Sequence, residues 1–228
     1  MTRLLLVGNS RWHWAEPGPT GLRCWHEPPR QAAPPQGWQG LRAWAAVGAV
    51  PPQLGLPPQR CLDLTQVPLL DLPAWLGIDR ALAGWWAWSQ QGQAVLVADA
   101  GTALSLTLVD QAGRFGGGRI SAGLALQLRS LGQATAQLPA LISSDLSAMD
   151  LEPWPHQTQA AMLQGCLKAT AAAIAQGWRD RLAQSAEPPG RLWLTGGDGP
   201  LLAPLLRQQG LPLTLAPDLC LEALAALS

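Results

Sequence analysis

Three short turns hold the residues whose types and spacing best suit chemistry on phosphate. Gly8-Asn9-Ser10 follows the apolar run Leu4-Leu5-Leu6-Val7, and Ala100-Gly101-Thr102 follows Val95-Leu96-Val97-Ala98-Asp99. Gly196-Gly197-Asp198-Gly199 follows Leu192-Trp193-Leu194-Thr195. Glycine lets a backbone approach a ligand closely and adopt positive φ, and exposed N–H groups and hydroxyls bond phosphate oxygens. Two such turns from two related lobes, with a glycine pair behind them, could grip a nucleoside triphosphate from both sides. Asp99 adds a carboxylate at the mouth of the second turn, where a cation would neutralise phosphate charge. Asp79-Arg80 sets a carboxylate beside a guanidinium at the start of an apolar helix. That pair could deprotonate a hydroxyl and hold an anionic substrate.

Each of these has a plainer reading. Gly-Asn-Ser and Ala-Gly-Thr after strands also make ordinary hairpin turns. An aspartate opening a helix is commonly a cap, contributing about 1 kcal/mol. Gly116-Gly117-Gly118 could be a flexible turn, Gly196-Gly197 a strand-to-helix turn, and Thr158 a surface residue of a first helical turn. The twelve tryptophans, with Trp85, Trp86 and Trp88 close together, read as core or subunit-interface packing.

The elements that must position these residues form an α/β pattern with an internal duplication. Strands are predicted over Arg3–Val7, Arg11–Ala15 (returning antiparallel), Leu22–His26 and Ala45–Val50, the last ending at Pro51. A helix is predicted from Asp79 to about Gln90, with Gly92 as its stop. The second half repeats the scheme: strands over Val95–Asp99, Ala103–Val109 and Arg114–Ser121, then a helix over Gly123–Ala136. A long helix from about Pro155-His156 past Trp178 follows. A strand over Leu192–Thr195 and helices over Pro200–Gln209 and Leu221–Leu227 complete the chain. The lobe boundary is placed near Gly92, giving lobes 1–92 and 93–228.

Composition narrows the function. With 228 residues, 48% apolar and 13% charged, the chain is long enough for two lobes with proper cores. Fifteen basic and fifteen acidic side chains leave no net charge, hence no basic stripe for nucleic acid or an anionic membrane. Lys168 is the only lysine and lies within a helical stretch. It serves neither a phosphate-binding Walker loop nor a protein-kinase third strand. Cys24, Cys61, Cys166 and Cys220 are widely spaced, and His13, His26 and His156 give no zinc-ligand spacing with them. The cysteines read as reduced thiols of a cytoplasmic protein. The N-terminal apolar run is too short for a signal peptide, and no stretch approaches the ~18 apolar residues of a membrane span.

Taken in order, these segments resemble the type III pantothenate kinases of the actin, sugar kinase and Hsp70 ATPase superfamily. The resemblance covers nearly the whole chain. It rests on Gly8-Asn9-Ser10, Gly77-Ile78-Asp79-Arg80, Asp99-Ala100-Gly101-Thr102-Ala103 and Gly116-Gly117-Gly118-Arg119-Ile120-Ser121-Ala122-Gly123. It continues through Leu138-Pro139, Thr158 with Gly165, and Thr195-Gly196-Gly197-Asp198. It implies duplicated ribonuclease H-like (actin-like ATPase) lobes, each a mixed five-stranded sheet flanked by helices. It also implies transfer of the ATP γ-phosphate to the primary hydroxyl of pantothenate, the first step towards coenzyme A.

By matching positions, Gly8, Asn9, Ser10, His13, Gly101 and Thr102, with Gly196 and Gly197 at the nucleoside end, would bind ATP with its Mg2+. Asp79 would be the base, Gly77, Ile78, Asp79, Arg80 and Thr158 would bind pantothenate, and Asp99 would hold a monovalent cation, K+ or NH4+. Members of the family are homodimers whose pantothenate pocket borders the subunit interface.

Three departures from the family pattern stand out. The first motif normally reads Asp-x-Gly-Asn-Thr or Ser, and this chain has Leu6 where that aspartate belongs. Ala122 replaces the usual proline before Gly123, and the chain has no tyrosine for any tyrosine contact to pantothenate. Leu6 motivates an alternative, a non-catalytic regulatory or ligand-binding member of the same family, relatives having first been described as transcription accessory factors. A third reading is another small-molecule kinase of the superfamily.

Overall fold

The computed structural model describes residues 2–142, 152–184 and 190–228. The chain divides into two compact units. The first contains Met1–Val95, Val109–Gly116 and Asp218–Ser228, and the second contains Leu96–Leu108 and Gly117–Pro217. The sequence reading places a single boundary near Gly92. The structure instead groups a hairpin tip (Val109–Gly116) and the last helix with the first unit.

In the first unit, β1 (Arg3–Val7), β2 (Trp12–Gly18), β3 (Gly21–Glu27) and β4 (Leu41–Ala46) form a sheet in the order β3-β2-β1-β4. β1 and β3 each pair antiparallel with β2, and β4 pairs parallel with β1. Residues alternate between the two faces of a strand. One face carries Leu5, Trp12, Trp14, Leu41 and Trp44, which pack with Leu54 and the partly buried Trp25 and Trp38. Trp14 and Trp25 lie parallel, with ring centroids 6.0 Å apart. Leu4, Leu6, His13 and His26 lie on the opposite face. Helix α1 (Ile78–Ser89) packs against the last helix, α5 (Leu219–Leu227), which also contacts β1.

Two expectations for this unit are corrected. The fourth strand spans Leu41–Ala46 rather than Ala45–Val50, because it lasts only as long as its partner. Val7, the last residue of β1, pairs with Ala46, and the Val47 N–H to Val7 carbonyl bond (3.0 Å) closes the ladder. The sheet has four strands rather than five. Where a fifth would lie, only Cys61 bridges to Trp44, and the Leu62 N–H donates to the Trp44 carbonyl at 2.7 Å. The surrounding segment forms short 3-10 turns at Pro52–Leu54, Pro58–Arg60 and Leu64–Gln66. Prolines supply no N–H to a ladder. Indole N–H groups meet carbonyls of this segment instead: Trp38 bonds Leu54 (2.6 Å) and Trp44 bonds Pro57 (2.8 Å).

The second unit is built on β5 (Val95–Ala100), β6 (Ala103–Val109), β7 (Phe115–Ala122), β8 (Arg191–Thr195) and β9 (Leu213–Leu215), in the order β7-β6-β5-β8-β9. Its helices are α2 (Leu124–Ala134), α3 (Thr158–Gln184) and α4 (Gly199–Gln208). The core is mainly aliphatic, with Leu96, Ala98, Leu104, Leu106, Leu128, Leu163, Ile174 and Leu194 packed together with one tryptophan, Trp178. α3 begins at Thr158, later than Pro155-His156, and β9 is too short to show as a periodic pattern in the sequence. The glycine triplet is not a turn: it lies within the edge strand β7. No helix among the described residues is long and apolar enough to cross a membrane.

Candidate active site

The first turn is a tight hairpin. The Gly8 N–H donates to the Arg11 carbonyl at 3.1 Å, leaving Asn9 and Ser10 exposed at the tip. Gly8 has no side chain where none would fit, since a Cβ there would lie 2.8 Å from the Arg11 carbonyl and 3.1 Å from His13 Nε2. His13 therefore reaches the turn edge-on. Across the sheet its register partners are Leu6 on β1 and His26 on β3. The two imidazoles meet Nδ1 to Nδ1 at 2.9 Å with their rings near perpendicular. Burial, then His26 and Arg11, push the His13 pKa down to about 4, so the ring is neutral at pH 7. Leu6, two residues before Gly8, is buried.

Asp79 sits at the start of α1. The N-cap is Gly77, which caps with no side chain, so Asp79 is not the capping residue that its position in the sequence suggests. Its Oδ1 is buried without a hydrogen-bond partner and would lie 2.5 Å from a Cβ at position 77. Burial raises its pKa above the ordinary carboxylate value. The backbone N–H groups of Arg80 and Asp79 and the Arg80 guanidinium pull it back down. Arg80 is itself buried, and its charge is disfavoured by that burial and favoured by Asp79. Its guanidinium carbon lies 5.8 Å from the centroid of Phe115, a cation–π contact that the sequence reading missed. The Cys220 thiol donates to the Asp79 carbonyl at 3.5 Å. Ile78 is buried beneath the helix start. The unit thus holds one poorly solvated carboxyl group beside one fixed cation.

In the second unit, three turns close on one another. The Gly101 N–H donates to the Ala103 carbonyl (3.1 Å), and the Thr102 carbonyl accepts from the Gly123 N–H at the start of α2 (3.2 Å). The Ala100 carbonyl accepts from the Asp198 N–H just before α4 (2.9 Å). Gly196 has φ 87°. A Cβ there would meet both the Ala100 carbonyl and Asp99 Oδ1 at 2.5 Å, so only glycine allows this approach. The structure therefore brings Asp99, Gly101, Thr102, Gly196 and Gly197 into one neighbourhood, beside the starts of two helices. Thr158 opens α3 with its side chain exposed.

Among the described residues no group of three or more His, Cys, Asp and Glu is placed to hold a metal ion. Asp99 is a single hard oxygen donor beside a phosphate-type turn. This set fits a cation shared with substrate phosphates rather than one held by a protein cage. All four cysteines are free, and burial with Asp218 and Glu222 pushes the Cys24 thiol up to about 12.

Comparison with known proteins bears on what this arrangement does. The profile of the family described as Type III pantothenate kinase matches residues 51–180. A type III pantothenate kinase of Thermosynechococcus vestitus is 40% identical over 210 residues, covering 89% of this chain and 80% of that relative. One from Synechococcus sp. strain JA-3-3Ab is 40% identical over 231 residues, covering 96% and 89%. Among solved structures, a Baf family protein of Campylobacter jejuni superposes with TM-score 0.62 at 16% identity, covering 99% of this chain and 96% of that one. A ROK family glucokinase of Streptomyces griseus superposes with TM-score 0.55 at 14% identity, covering 100% and 98%. At these identities the structural matches establish the fold, the α/β arrangement of actin-like sugar kinases.

Proposed function

This chain belongs to the type III pantothenate kinase family, and from that premise we propose how its residues divide the ATP-dependent phosphorylation of pantothenate. The enzyme is a phosphotransferase with an alcohol acceptor. Asp79 is the general base, and its Oδ1, buried with no partner of its own, is the observation that carries the assignment. A carboxylate with one oxygen withdrawn from water and left without a donor is a better acceptor for a hydroxyl proton than a fully solvated one. The alcohol's pKa lies far above 7, so Asp79 takes the proton late, as the bond to phosphorus forms. Arg80, held by burial and by Phe115, attracts the pantothenate carboxylate. Gly77 and Ile78 line that site, and Thr158 contributes to it.

Phosphoryl transfer is mainly positioning and charge stabilisation. Gly8, Asn9, Ser10 and His13 on one turn, and Gly101 and Thr102 on the other, present donors to the ATP phosphates. Gly196 and Gly197 lie at the nucleoside end. Asp99 would hold a monovalent cation, K+ or NH4+, and Mg2+ would travel with the nucleotide. Bound there, such cations supply neutralisation of phosphate charge. On the same reading the protein acts as a homodimer in the cytoplasm.

The test is ADP release from purified protein with ATP, magnesium and pantothenate, in potassium and then in sodium. Pantothenate-dependent release that is faster in potassium is the expected outcome. Release that ignores pantothenate would sink the substrate assignment, and equal rates in the two salts would remove the cation from Asp99.

A further inference from the structure

The cross-strand row on the helix-facing side of the first sheet reads Leu6, His13, His26, fixed by the registers of β1 with β2 and β2 with β3. Nδ1 of His13 lies 2.9 Å from Nδ1 of His26. Two ring nitrogens can hold that contact only with one proton between them. Two Nδ1–H groups would clash, and two bare nitrogens would repel. One Nδ1 must therefore donate and the other accept. The low pKa of His13 keeps its ring neutral at physiological pH.

Which ring donates is decided at the far edge of His13. Its Nε2 is packed against Gly8, 3.1 Å from where a Cβ would lie. A phosphate oxygen at this turn can only accept. It selects the form with a proton on His13 Nε2, and that form requires His26 to donate its Nδ1–H. Leu6, the partner of His13 on β1, is buried and apolar, so it offers neither charge nor acceptor to compete for that proton.

We propose that His26 is a positioning residue: it holds His13 as the Nε2–H tautomer, so that the ring presents an uncharged donor to ATP phosphate at the Gly8-Asn9-Ser10 turn. This rests on the placement of ATP phosphates at that turn. The row then supplies a neutral imidazole donor at the turn whose expected carboxylate is replaced by Leu6.

The experiment is nitrogen-15 NMR of the histidine rings, with and without a non-hydrolysable ATP analogue, on the wild type, His26→Phe and His26→Asn. Steady-state kinetics on the same proteins accompany it. With analogue bound, His13 should show a protonated Nε2 and a bare Nδ1. His26→Phe should lose that preference and raise KM for ATP about fivefold, the worth of one hydrogen bond. Its kcat and its KM for pantothenate should change by less than about twofold, on the same hydrogen-bond scale. His26→Asn, whose amide N–H can donate to Nδ1, should restore the ATP KM, and the wild-type ring signals carry the test if the Phe variant does not fold. A protonated His13 Nδ1 in the complex, ring signals of His13 that ignore the nucleotide, or an unchanged ATP KM in His26→Phe would each overturn the proposal. A wild type that binds the analogue but fails to phosphorylate pantothenate would fault the kinase reading alone, since the ring tautomer is read without turnover.

Discussion

The two phosphate-type turns share a design and differ in charge. Leu6 and Asp99 both stand two residues before a turn glycine, Gly8 and Gly101, at the ends of β1 and β5. In the first unit that position is a buried leucine facing His13, backed by a sheet whose other face is packed with tryptophan. In the second it is a carboxylate set against Gly196, over a mainly aliphatic core and beside the starts of α2 and α4. A duplicated scaffold thus keeps both turns while placing a carboxylate before the turn glycine of only one of them. In the first unit the carboxyl group at the start of α1, Asp79, has one oxygen buried without a partner.

That contrast can be broken most sharply at the two aspartates. Asp79→Asn should lower turnover by about 10²–10⁴-fold, the range for a positioned general base, with nucleotide affinity unchanged by calorimetry. It should also stabilise the fold by roughly 1 kcal/mol, or about 2–4 °C in melting temperature, because it removes a buried charge with an unbonded oxygen. The sign follows from the raised pKa of Asp79. The folded state holds that proton more tightly than the unfolded one. Wild-type stability therefore falls as pH rises from the ordinary aspartate range through the raised value, and the asparagine variant should lack that fall. A variant that melts lower than the wild type across this range would refute the account of Asp79.

Asp99→Asn should cost about 10²-fold in turnover, on the scale of losing one preorganised electrostatic group, and should abolish any difference between potassium and sodium. If it proves as mild as a surface change, the second turn does not carry the charge. Leu6→Asp copies the second turn onto the first. Denaturant unfolding should show it less stable by about 1–3 kcal/mol, since the carboxylate enters a buried apolar site with only His13 opposite. Unaltered stability would mean that Leu6 is not the packed residue described.

Backbone controls sharpen the comparison further. Gly196→Ala should destabilise by about 1–3 kcal/mol through its positive φ and its contact with Ala100, whereas Gly197→Ala, with open space around it, should stay within about 0.5 kcal/mol. A pH-dependent effect is expected at His13, whose folded-state pKa is lowered to about 4. The unfolded ring binds its proton near pH 6.5. Stability should therefore decline as pH falls from about 6.5 towards 4. His13→Gln should decline less over that window in a thermal-shift series.

Much of this was legible in the residue order. The turn at Gly8, the strand ending in Asp99, the helix opening at Gly77-Ile78-Asp79-Arg80 and the Gly196-Gly197 pair all stand where local chemistry places them. The β2–β3 register was available too, because the short turn between Gly18 and Gly21 sets His13 opposite His26. The resemblance singles out His13 alone, and nothing in the spacing of the histidines marks His26 as its partner until that turn is paired into a hairpin. Other features left no local trace. Phe115 lies 35 positions beyond Arg80 in the chain, and nothing near either residue announces their contact. Apolar Ala45–Val50 looks like a strand until the length of β1 is known, and β4 ends at Ala46 opposite Val7.

The sequence by itself determined the family, the order of strands and helices, and the identity of the candidate acids, donors and glycines. Turn and capping preferences act over a few residues, and motif order is a property of the chain alone. Only the tertiary structure decided that Asp79 is desolvated rather than capping, that Leu6 is buried opposite an imidazole, and that the first sheet stops at four strands. Burial and partnership depend on groups brought together from distant positions, and a pKa or a tautomer is set by those neighbours rather than by the residue that carries it.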